Sequence, residues 1–530
     1  MREIKHNIVY PSARPLVMAK NIVSTSQPLA AQAGLEVLQQ GGNAVDAALA
    51  AAITSVVVEP TGCGLGSDAF AIVWDGSQVH AINGSGPSPK YLTADLFTGL
   101  STMPSRGWLS VTVPGMVQTW VALHKKFGKI PFPNLFKRAI EYAEKGYPVS
   151  VGIANLWQRI APKYQGQPGF NNCFLPKGRA PLPGEIFKNL DLAASLQDIA
   201  NTYGDSFYHG RLAQEIIKHS EQHGGVMTFE DLASYEAEWV ETISTDFNGY
   251  QIHEIPPNSQ GIATLIALGI LEEADVSSYE YGSAESMHYQ IEAMKLAFAD
   301  LYAHVTDQEA MHIRPERFLN KEYLRKRAQL INPHQASEFE TGIPKNGGTT
   351  YICAADDAGM MVSFIQSNYE GFGSGVVVEG TGISMQNRAM GFSLDPDHPN
   401  YLKPNKRTFH TIIPGFVQKE DQPIAVFGLM GGPMQAQGHL QLMTALYGYG
   451  LSPQTAADAP RWQITQGFEV LVEPGFSPEL IQQLTALGHK VTVAEIQDSF
   501  AFGGAQVIEK NQQAYMAGSD YRKDGLAVGY

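Results

Sequence analysis

A threonine preceded by two glycines is the feature of the sequence with the clearest chemical potential. The run Gly347-Gly348-Thr349-Thr350 opens a stretch whose apolar residues alternate as in a β-strand. Glycine before the threonine tolerates a strained peptide geometry that other residues resist. Attack of the Thr349 hydroxyl on the carbonyl carbon of Gly348 gives an ester that water hydrolyses, and the freed α-amine of Thr349 can then act as base for its own hydroxyl. The run predicts self-cleavage between Gly348 and Thr349, although an ordinary strand after a flexible turn has the same composition.

A second hydroxyl is expected to face Thr349 across a β-hairpin. The residues Asp357-Ala358-Gly359 suit a three-residue hairpin loop with glycine in the left-handed last position, which pairs Asp356 with Met360. Continued along the strands, this register sets Thr349 opposite Ser367, and facing residues of an antiparallel pair lie about 4.5–5.5 Å apart. A two-residue loop would turn Ser367 to the other face. The three-residue loop predicts that Ser367 orients or polarises the Thr349 hydroxyl.

The elements around this hairpin predict a layered α/β protein. Helical spacing of apolar residues predicts helices over 27–40, 43–57, 113–146, 190–220, 284–304, 320–331, 434–449 and 475–487. Period-two alternation predicts strands over 68–82, 350–356, 360–367, 375–386, 411–417, 423–429, 490–495 and 504–518. The stretch from Asn332 to Gly348 is the main loop boundary. Helical segments on both sides of a strand-rich middle indicate sheets covered by helices.

Composition and charge argue against several classes of protein. The 530 residues are 44% hydrophobic and 17% charged, as in a globular enzyme. The 37 Lys+Arg residues against 52 Asp+Glu residues give a net charge of −15 without a long basic run, so no nucleic-acid partner is expected. No signal peptide and no uncharged apolar stretch of about 18 residues is visible, so we expect a cytoplasmic protein without a membrane partner.

No metal and no cofactor is expected. The three cysteines are far apart, and the chain has no HExxH motif or Cys/His cluster. The glycines of Gly62-x-Gly64-x-Gly66 follow an alanine-rich helix instead of a strand and lack the third glycine of a dinucleotide loop. His410 suits a general base or a metal ligand, but an isolated histidine is more often structural. A small-molecule substrate is therefore expected.

Nearly the whole chain resembles the γ-glutamyltranspeptidase (glutathione hydrolase) family, in particular its short-lidded bacterial branch. The N-terminal half carries the motifs Thr25-Ser26-Gln27-Pro28-Leu29-Ala30, Gly41-Gly42-Asn43-Ala44-Val45-Asp46-Ala47, Glu59-Pro60 with the turn from Gly62 to Gly66, Val113-Pro114-Gly115 and Pro256-Pro257-Asn258-Ser259-Gln260-Gly261. The C-terminal half carries Gly348-Thr349-Thr350, Gly371-Phe372-Gly373-Ser374-Gly375, Gly431-Gly432-Pro433, Asp458-Ala459-Pro460-Arg461 and Asp520-Tyr521-Arg522-Lys523-Asp524-Gly525. So many motifs in the same order are more specific than any one of them.

The resemblance implies an αββα sandwich of the N-terminal-nucleophile hydrolase type, formed by two subunits cut from one precursor. On this sequence the large subunit is residues 1–348 and the small, catalytic subunit residues 349–530, and the two interweave as a heterodimer; further dimerisation is left open. Thr349 takes the place of the nucleophile and Ser367 that of a supporting threonine. The backbone amides of Gly431-Gly432 take the place of the oxyanion hole, a role that suits glycine because no side chain obstructs the amide. The same two glycines also suit a strand-to-helix turn.

The residues expected to bind the acyl group depart from the family pattern. The arginine that grips the glutamyl α-carboxylate maps to the segment 82–87, which contains no arginine. The other acyl-binding positions, an acid, its amide neighbour, an asparagine and a serine pair, map to Gly391, Arg388, Tyr369 and His410-Thr411. Arg388 suits carboxylate binding or a surface charge. Loss of an acid and gain of an arginine predict a more positive pocket.

Two classes of function agree with these residues. The first is a self-processing amidohydrolase that cleaves γ-glutamyl amide bonds through a threonyl acyl-enzyme, with glutaryl or cephalosporin acylase-like activity as the alternative. The loop from Phe392 to Lys406 is shorter than in long-lidded members, which favours hydrolysis over transpeptidation. The second is a non-catalytic relative retained for binding. The presence of Thr349, Ser367 and Gly431-Gly432 favours the enzyme.

Overall fold

Two antiparallel β-sheets of seven strands each form the centre of the molecule. The computed structural model describes residues 14–339 and 348–530. Sheet I contains, in spatial order, Val17–Ala19, Ala514–Ser519, Gln506–Asn511, Gln422–Gly428, Gly415–Lys419, Tyr250–Glu254 and Ile243–Phe247. Sheet II contains Leu526–Gly529, Ile22–Thr25, Gly348–Ala355, Met361–Tyr369, Asp68–Trp74, Val79–Gly84 and Glu238–Val240. Both sheets therefore take strands from the segments before and after Thr349.

Helices cover the outer face of each sheet. On sheet II lie Pro28–Gln39, Ala44–Val58, Met116–Phe127, Lys137–Lys145, Val151–Ile160, Phe170–Phe174, Leu190–Thr202, Asp205–Tyr208, Arg211–Gln222 and Phe229–Ala233. On sheet I lie Gly261–Glu273, Ala284–His304, Pro315–Phe318, Lys321–Ala328, Met434–Met443, Pro453–Asp458 and Pro478–Ala486. Smaller sheets are formed by Trp462–Gln466 with Glu469–Val472 and Lys490–Val493, by Tyr147–Pro148 with Ile186–Phe187, and by Val377–Val378 with Ile383–Ser384.

Three apolar layers hold this arrangement together, and one strand shows how the sequence builds them. In Gly348–Ala355, Tyr351 and Cys353 pack between the two sheets, whereas Ile352 and Ala354 pack against the helices on sheet II. This alternation follows from the period of two in a β-strand. A third layer joins sheet I to its own helices. The sequence of layers, helix, sheet, sheet, helix, confirms the predicted αββα sandwich.

The helix Ala44–Val58 supports the centre of sheet II. Its N-terminus is closed by a capping box, in which the Asn43 side chain accepts from the Asp46 amide and the Asp46 carboxylate accepts from the Asn43 amide. All fifteen residues of the helix are buried, because it lies between sheet II and further helices. Small alanine side chains allow close packing on both sides, which explains the alanine-rich run in the sequence.

Most predicted elements are present, and the errors have physical causes. The predicted strand 375–386 is wrong: this segment is mostly turns, with two short strands, and its glycines at 375, 380 and 382 have positive φ angles. The predicted helix 190–220 is interrupted at Gly204 and Gly210. Edge strands such as Val17–Ala19 and Glu238–Val240 were not predicted because three residues are too few to show a period.

The predicted loop from Asn332 to Gly348 lies partly outside the described residues, and Gly347 is one of the residues outside them. Gly348 belongs to a strand of sheet II.

No helix within residues 14–339 and 348–530 combines the length and apolar character that crossing a membrane requires.

Candidate active site

The hairpin formed by Gly348–Ala355 and Met361–Tyr369 follows the predicted register from its loop as far as Thr350. Asp356 pairs with Met360 through the three-residue loop, and Gly359 has a positive φ of 94°. The pairing continues in register from Ala355 opposite Met361 to Thr350 opposite Gln366, then shifts by one residue, so that Gly348 pairs with Tyr369. Thr349 lies at this irregularity, still beside Ser367.

Three oxygen atoms form a compact group at this point. The Thr349 hydroxyl lies 2.7 Å from the carbonyl oxygen of Gly348 and 3.2 Å from the Ser367 hydroxyl oxygen. The Ser367 hydroxyl donates to the same Gly348 carbonyl at 2.6 Å and accepts from the Tyr369 amide at 2.8 Å. A hydroxyl that donates to a carbonyl oxygen makes the carbonyl carbon more electrophilic. The group can therefore support attack of the Thr349 oxygen on Gly348.

Close packing, not a left-handed backbone, explains the glycine at position 348. Gly348 is not among the glycines with positive φ. A methyl group on its Cα would lie 2.9 Å from the carbonyl oxygen of Thr61 and 3.0 Å from the Gly371 amide nitrogen. Both atoms belong to backbone and cannot move as a flexible side chain would. A glycine is therefore required at position 348, as predicted, but because of close packing and not because of strained peptide geometry.

Gly431 and Gly432 lie between the strand Gln422–Gly428 and the helix Met434–Met443. Their φ angles of 123° and 62° lie in the region that favours glycine. Within residues 14–339 and 348–530, neither amide donates a hydrogen bond to another residue. The start of the helix adds a positive partial charge. The two amides are thus available to an oxyanion, and the strand-to-helix turn is the geometry that makes them so.

Two glutamines that sequence reasoning missed hold this region together, one at Thr349 and one at Gly432. The Gln435 side chain donates to the Thr349 hydroxyl oxygen at 3.3 Å and accepts from the Ile413 amide. The Gln260 side chain donates to the carbonyl of Gly432 at 2.9 Å and to the carbonyl of Thr411. Gln260 belongs to a motif that the sequence offered only as part of a resemblance, whereas Gln435 sits next to the Gly431-Gly432-Pro433 motif.

A second polar group, here named the Arg388 cluster, consists of Asp68, Tyr369, Arg388, His410 and Thr411. Arg388 is 1% exposed, and its Nη1 donates to the Thr411 hydroxyl at 3.0 Å. Its guanidinium lies 4.3 Å from the centroid of the Tyr369 ring, a cation–π contact. The remaining Nε and Nη2 atoms have no hydrogen-bond partner among the described residues. A buried arginine with free donors is suited to a carboxylate, and Arg388 is not a surface charge.

Tyr369 links the Arg388 cluster to the hairpin through an unusual backbone conformation. Its φ angle of 78° lies in the left-handed region, which is uncommon for a residue other than glycine. In this conformation its amide is directed to Ser367 while its ring lies against the guanidinium of Arg388. The sequence placed Tyr369 in the substrate pocket only through the family pattern.

Asp68 is the member of the cluster that sequence reasoning missed. It pairs with Ser367 across neighbouring strands, and its carboxylate lies 3.8 Å from Arg388 Nε and 3.0 Å from His410 Nε2. Burial raises the pKa of Asp68 to about 7, although Arg388 opposes this. Burial also lowers the pKa of Arg388 to about 10, so the arginine stays charged at neutral pH.

The carboxyl group of Asp68 changes two expectations. Burial and the charge of Arg388 both keep the pKa of His410 well below its usual value, so His410 is neutral and held by Asp68. Its Nδ1 accepts from the Ile412 amide and its Nε2 contacts Asp68, so both ring nitrogens are engaged and His410 positions its neighbours. The predicted excess of positive charge is wrong wherever Asp68 is ionised, because its charge offsets that of Arg388. Asp68 follows the glycine-rich turn from Gly62 to Gly66, and the sequence pattern indicated only that it begins a strand.

One group of possible metal ligands lies elsewhere, where the helix Ala284–His304 meets the residue His489 that follows the helix Pro478–Ala486. His288, Glu292 and His489 are buried with ligand atoms within 4.8 Å of one another. Glu292 is already paired with Lys295 at 2.8 Å and accepts from the Ser337 amide at 2.9 Å. The ammonium of Lys295 thus supplies the positive charge that this carboxylate requires.

Comparisons with known proteins agree with this geometry. The chain is 39% identical to the "Glutathione hydrolase-like YwrD proenzyme" of Bacillus subtilis (strain 168), over 97% of this chain and 99% of that protein. It is 34% identical to the "Oxamate amidohydrolase proenzyme" of Klebsiella pneumoniae, over 95% of this chain and 97% of that protein. The solved structure of a cephalosporin acylase from Bacillus halodurans matches with a TM-score of 0.94 and 46% identity, over 100% of this chain and 99% of that chain.

A family model covers almost all of the chain, including the whole site described above. The model for "Gamma-glutamyltranspeptidase" matches residues 30–530, a range that includes the hairpin, the glycines 431 and 432 and the Arg388 cluster. The chain therefore belongs to the γ-glutamyltranspeptidase family.

Proposed function

We propose that the protein is a self-processing amidohydrolase in which Thr349 is first the cleaving residue and then the catalytic nucleophile. The observation that carries the proposal is the group of oxygens at the hairpin: the Thr349 hydroxyl is 2.7 Å from the Gly348 carbonyl oxygen, to which Ser367 also donates. In the first step the Thr349 oxygen bonds to the Gly348 carbonyl carbon, and the peptide bond to the Thr349 nitrogen breaks. Water then hydrolyses the ester, giving residues 1–348 and 349–530 as a heterodimer.

The freed α-amine then completes the active site. It takes the proton of the Thr349 hydroxyl as the oxygen attacks the carbonyl carbon of the substrate amide. The amides of Gly431 and Gly432 receive the negative charge that develops on the carbonyl oxygen. The substrate nitrogen leaves as an amine after taking up the proton, and water hydrolyses the acyl-enzyme. The Gln435 side chain keeps the nucleophile in place throughout.

The acyl group is proposed to be γ-glutamyl. Arg388 offers two unpartnered donor atoms inside a buried corner, which suits the carboxylate at the far end of a glutamyl chain. A relative with 39% identity carries the name glutathione hydrolase-like, which supports this substrate class.

A second candidate substrate is a glutaryl amide, as in a cephalosporin acylase. One oxygen of Asp68 accepts from the Gly115 amide, and the other contacts His410. The Arg388 cluster therefore has no free carboxylate to bind a substrate ammonium. A glutaryl group has the terminal carboxylate but lacks the ammonium. The structure with 46% identity is that of a cephalosporin acylase, which supports this alternative. A non-catalytic role is disfavoured because the nucleophile, its partner and the free amides are all present.

Hydrolysis is proposed to predominate over transpeptidation. The connection from Phe392 to Lys406 is short, and its polar groups are used internally: the Lys406 ammonium donates to the carbonyls of Pro399 and Tyr401. A short, self-contained loop leaves the acyl-enzyme open to water and offers little surface to a dipeptide acceptor.

The test is hydrolysis of γ-glutamyl- and glutaryl-p-nitroanilide by purified protein, with and without glycylglycine. We expect release of p-nitroaniline from at least one donor, and glycylglycine should change the rate by less than about twofold. Release from glutaryl alone would select the second candidate. No hydrolysis of either donor by the cleaved protein would contradict the proposal, and a large rate increase with formation of γ-glutamyl-glycylglycine would contradict the preference for water.

A further inference from the structure

A buried pair of side chains, His439 and Glu254, contacts the segment that leads into Gly431 and Gly432. His439 Nδ1 lies 2.7 Å from Glu254 Oε1, and both side chains are 0% exposed. The other ring nitrogen, Nε2, accepts from the Leu429 amide at 3.3 Å. Neither residue of the pair has a role in the steps proposed above.

The two contacts determine which nitrogen of His439 carries the proton. A backbone amide can only donate, so Nε2 is the unprotonated nitrogen, and Nδ1 carries the proton and donates to Glu254 Oε1. Burial lowers the pKa of His439 to about 3, which agrees with a neutral ring. Burial also raises the pKa of Glu254 well above its usual value, and a protonated carboxyl group still accepts through its carbonyl oxygen. Glu254 thus stabilises the tautomer in which His439 accepts from Leu429.

The hydrogen bond from Leu429 to His439 closes the base of the turn that carries the two glycines. Leu429 directly follows the strand Gln422–Gly428, before the turn, whereas His439 lies on the helix after the turn. The Leu429 side chain also packs on this helix at Gly438, where any side chain would collide with it. Both contacts fix the strand relative to the helix, and the directions of the glycine amides between them depend on that arrangement.

We propose that Glu254 and His439 are positioning residues, which hold the amides of Gly431 and Gly432 in the geometry that stabilises the oxyanion of the substrate. Donors fixed in advance stabilise a developing charge without having to reorganise during the reaction. The inference deepens the proposed function and rests on it. After cleavage Glu254 belongs to the large subunit and His439 to the small one, so the pair also joins the two subunits at this turn.

Self-cleavage is expected not to depend on this pair. The carbonyl oxygen of Gly348 accepts from the Thr349 and Ser367 hydroxyls, which is a different set of donors from the two glycine amides. Loss of positioning should therefore slow the turnover of substrate and leave the rate of self-cleavage unchanged. A general loss of folded protein would reduce both.

The test compares exchanges that keep or remove the acceptor for the Leu429 amide, with whichever of γ-glutamyl- and glutaryl-p-nitroanilide the unaltered protein hydrolyses. His439→Leu removes the acceptor and should lower kcat about 10- to 100-fold without changing KM, because stabilisation of the transition state alone is lost. His439→Gln offers a side-chain oxygen to the amide and should retain most of the activity. Glu254→Gln retains an acceptor for Nδ1 and should do the same, whereas Glu254→Leu should resemble His439→Leu.

His288→Leu is the matched control. His288 is also buried, lies on a helix that covers sheet I, and bonds through Nδ1 to His489 Nε2 at 2.8 Å. This exchange should lower the melting temperature comparably and leave kcat unchanged. The inference is overturned if His288→Leu and His439→Leu lower kcat equally, if the two glutamine exchanges are as impaired as the leucine exchanges, or if His439→Leu raises KM with kcat unchanged.

A measurement on the unaltered protein is independent of how well the variants fold. In ¹⁵N NMR spectra of protein with labelled histidine, the His439 ring, identified by the loss of its signals in a His439 variant, should be neutral and protonated at Nδ1. A ring protonated at Nε2 could not accept from Leu429 and would overturn the inference alone. If the cleaved, unaltered protein hydrolyses neither donor, the proposed function fails and the inference with it.

Discussion

The hairpin around Thr349 and the Arg388 cluster adjoin at Ser367 and Asp68, yet they consist of different kinds of chemical group. The hairpin group uses two short hydroxyl side chains and one backbone carbonyl on neighbouring strands, so that the ladder of sheet II fixes its distances. The Arg388 cluster uses long or charged side chains from two strands of sheet II, the short 3₁₀ segment Arg388–Gly391 and a loop. Its arrangement depends on buried charges whose protonation is shifted by the protein.

This difference separates two tasks. Every member of a self-processing family must perform the cleavage reaction. Backbone groups and short side chains suit this reaction because they have few alternative conformations. Recognition of one acyl group can rest on a few exchangeable charged side chains. Substitutions in the hairpin should thus affect processing and activity together, whereas substitutions in the Arg388 cluster should alter substrate choice in a protein that still cleaves itself.

The largest effect is expected from isosteric removal of the hydroxyl of Thr349. Thr349→Val should leave one uncut chain without measurable amidase activity, because no nucleophile remains. The matched control is Thr350→Val: the Thr350 hydroxyl lies on the opposite face of the strand, 3.5 Å from Cys63 Sγ, and its loss should leave cleavage intact. Denaturing gels and p-nitroanilide assays of both variants measure this, and cleavage of Thr349→Val would remove Thr349 from its role.

A smaller but still large effect is expected at Ser367. Ser367→Ala removes a donor to the Gly348 carbonyl, and loss of one such donor typically costs about 10²–10³ in rate. The rate of cleavage, followed after rapid synthesis of the precursor, should fall by about this factor. Ser363→Ala, on the same strand and bonded to the Phe427 carbonyl, is the control. Equal rates for the two variants would show that Ser367 does not polarise the bond.

Arg388→Gln should alter substrate choice and leave self-cleavage unchanged. A hydrogen bond to a charged group contributes about 1.5–3 kcal/mol, so kcat/KM for a glutaryl donor should fall roughly 10- to 100-fold. The loss should be smaller for a γ-glutamyl donor, whose ammonium is no longer repelled. A butyryl donor without a carboxylate serves as the control and should be unaffected. Unchanged values for glutaryl and γ-glutamyl donors would place the carboxylate away from Arg388.

The smallest effect is a pH dependence of stability that originates at Asp68. Its pKa is raised from 3.8 to about 7 by burial, so between these values the folded state holds a proton that the unfolded state has released. Stability from this group therefore decreases as pH rises from about 4 to 7. The melting temperature of Asp68→Asn, relative to that of the unaltered protein, should be higher at pH 8 than at pH 5. A difference between the two proteins that is the same at both pH values would mean that Asp68 is ionised throughout.

The same contrast explains how much could be predicted from the sequence. The period of two, the hairpin loop and glycine chemistry act over short distances, and they were enough to set Ser367 beside Thr349 and to identify Gly431 and Gly432. Asp68 and Gln260 reach the site only through the folding of distant segments. No local pattern reports such contacts, and the charge around Arg388 was therefore predicted without the carboxyl group of Asp68.

Self-cleavage at Thr349 is tested most directly by the N-terminal sequence and intact mass of the fragments formed by the unaltered protein. We expect two fragments that copurify, of which the smaller begins Thr349-Thr350-Tyr351 and ends at Tyr530. A fully active protein that remains one chain, or a smaller fragment that begins at any other residue, would contradict the central claim that Thr349 cuts the chain to become the nucleophile.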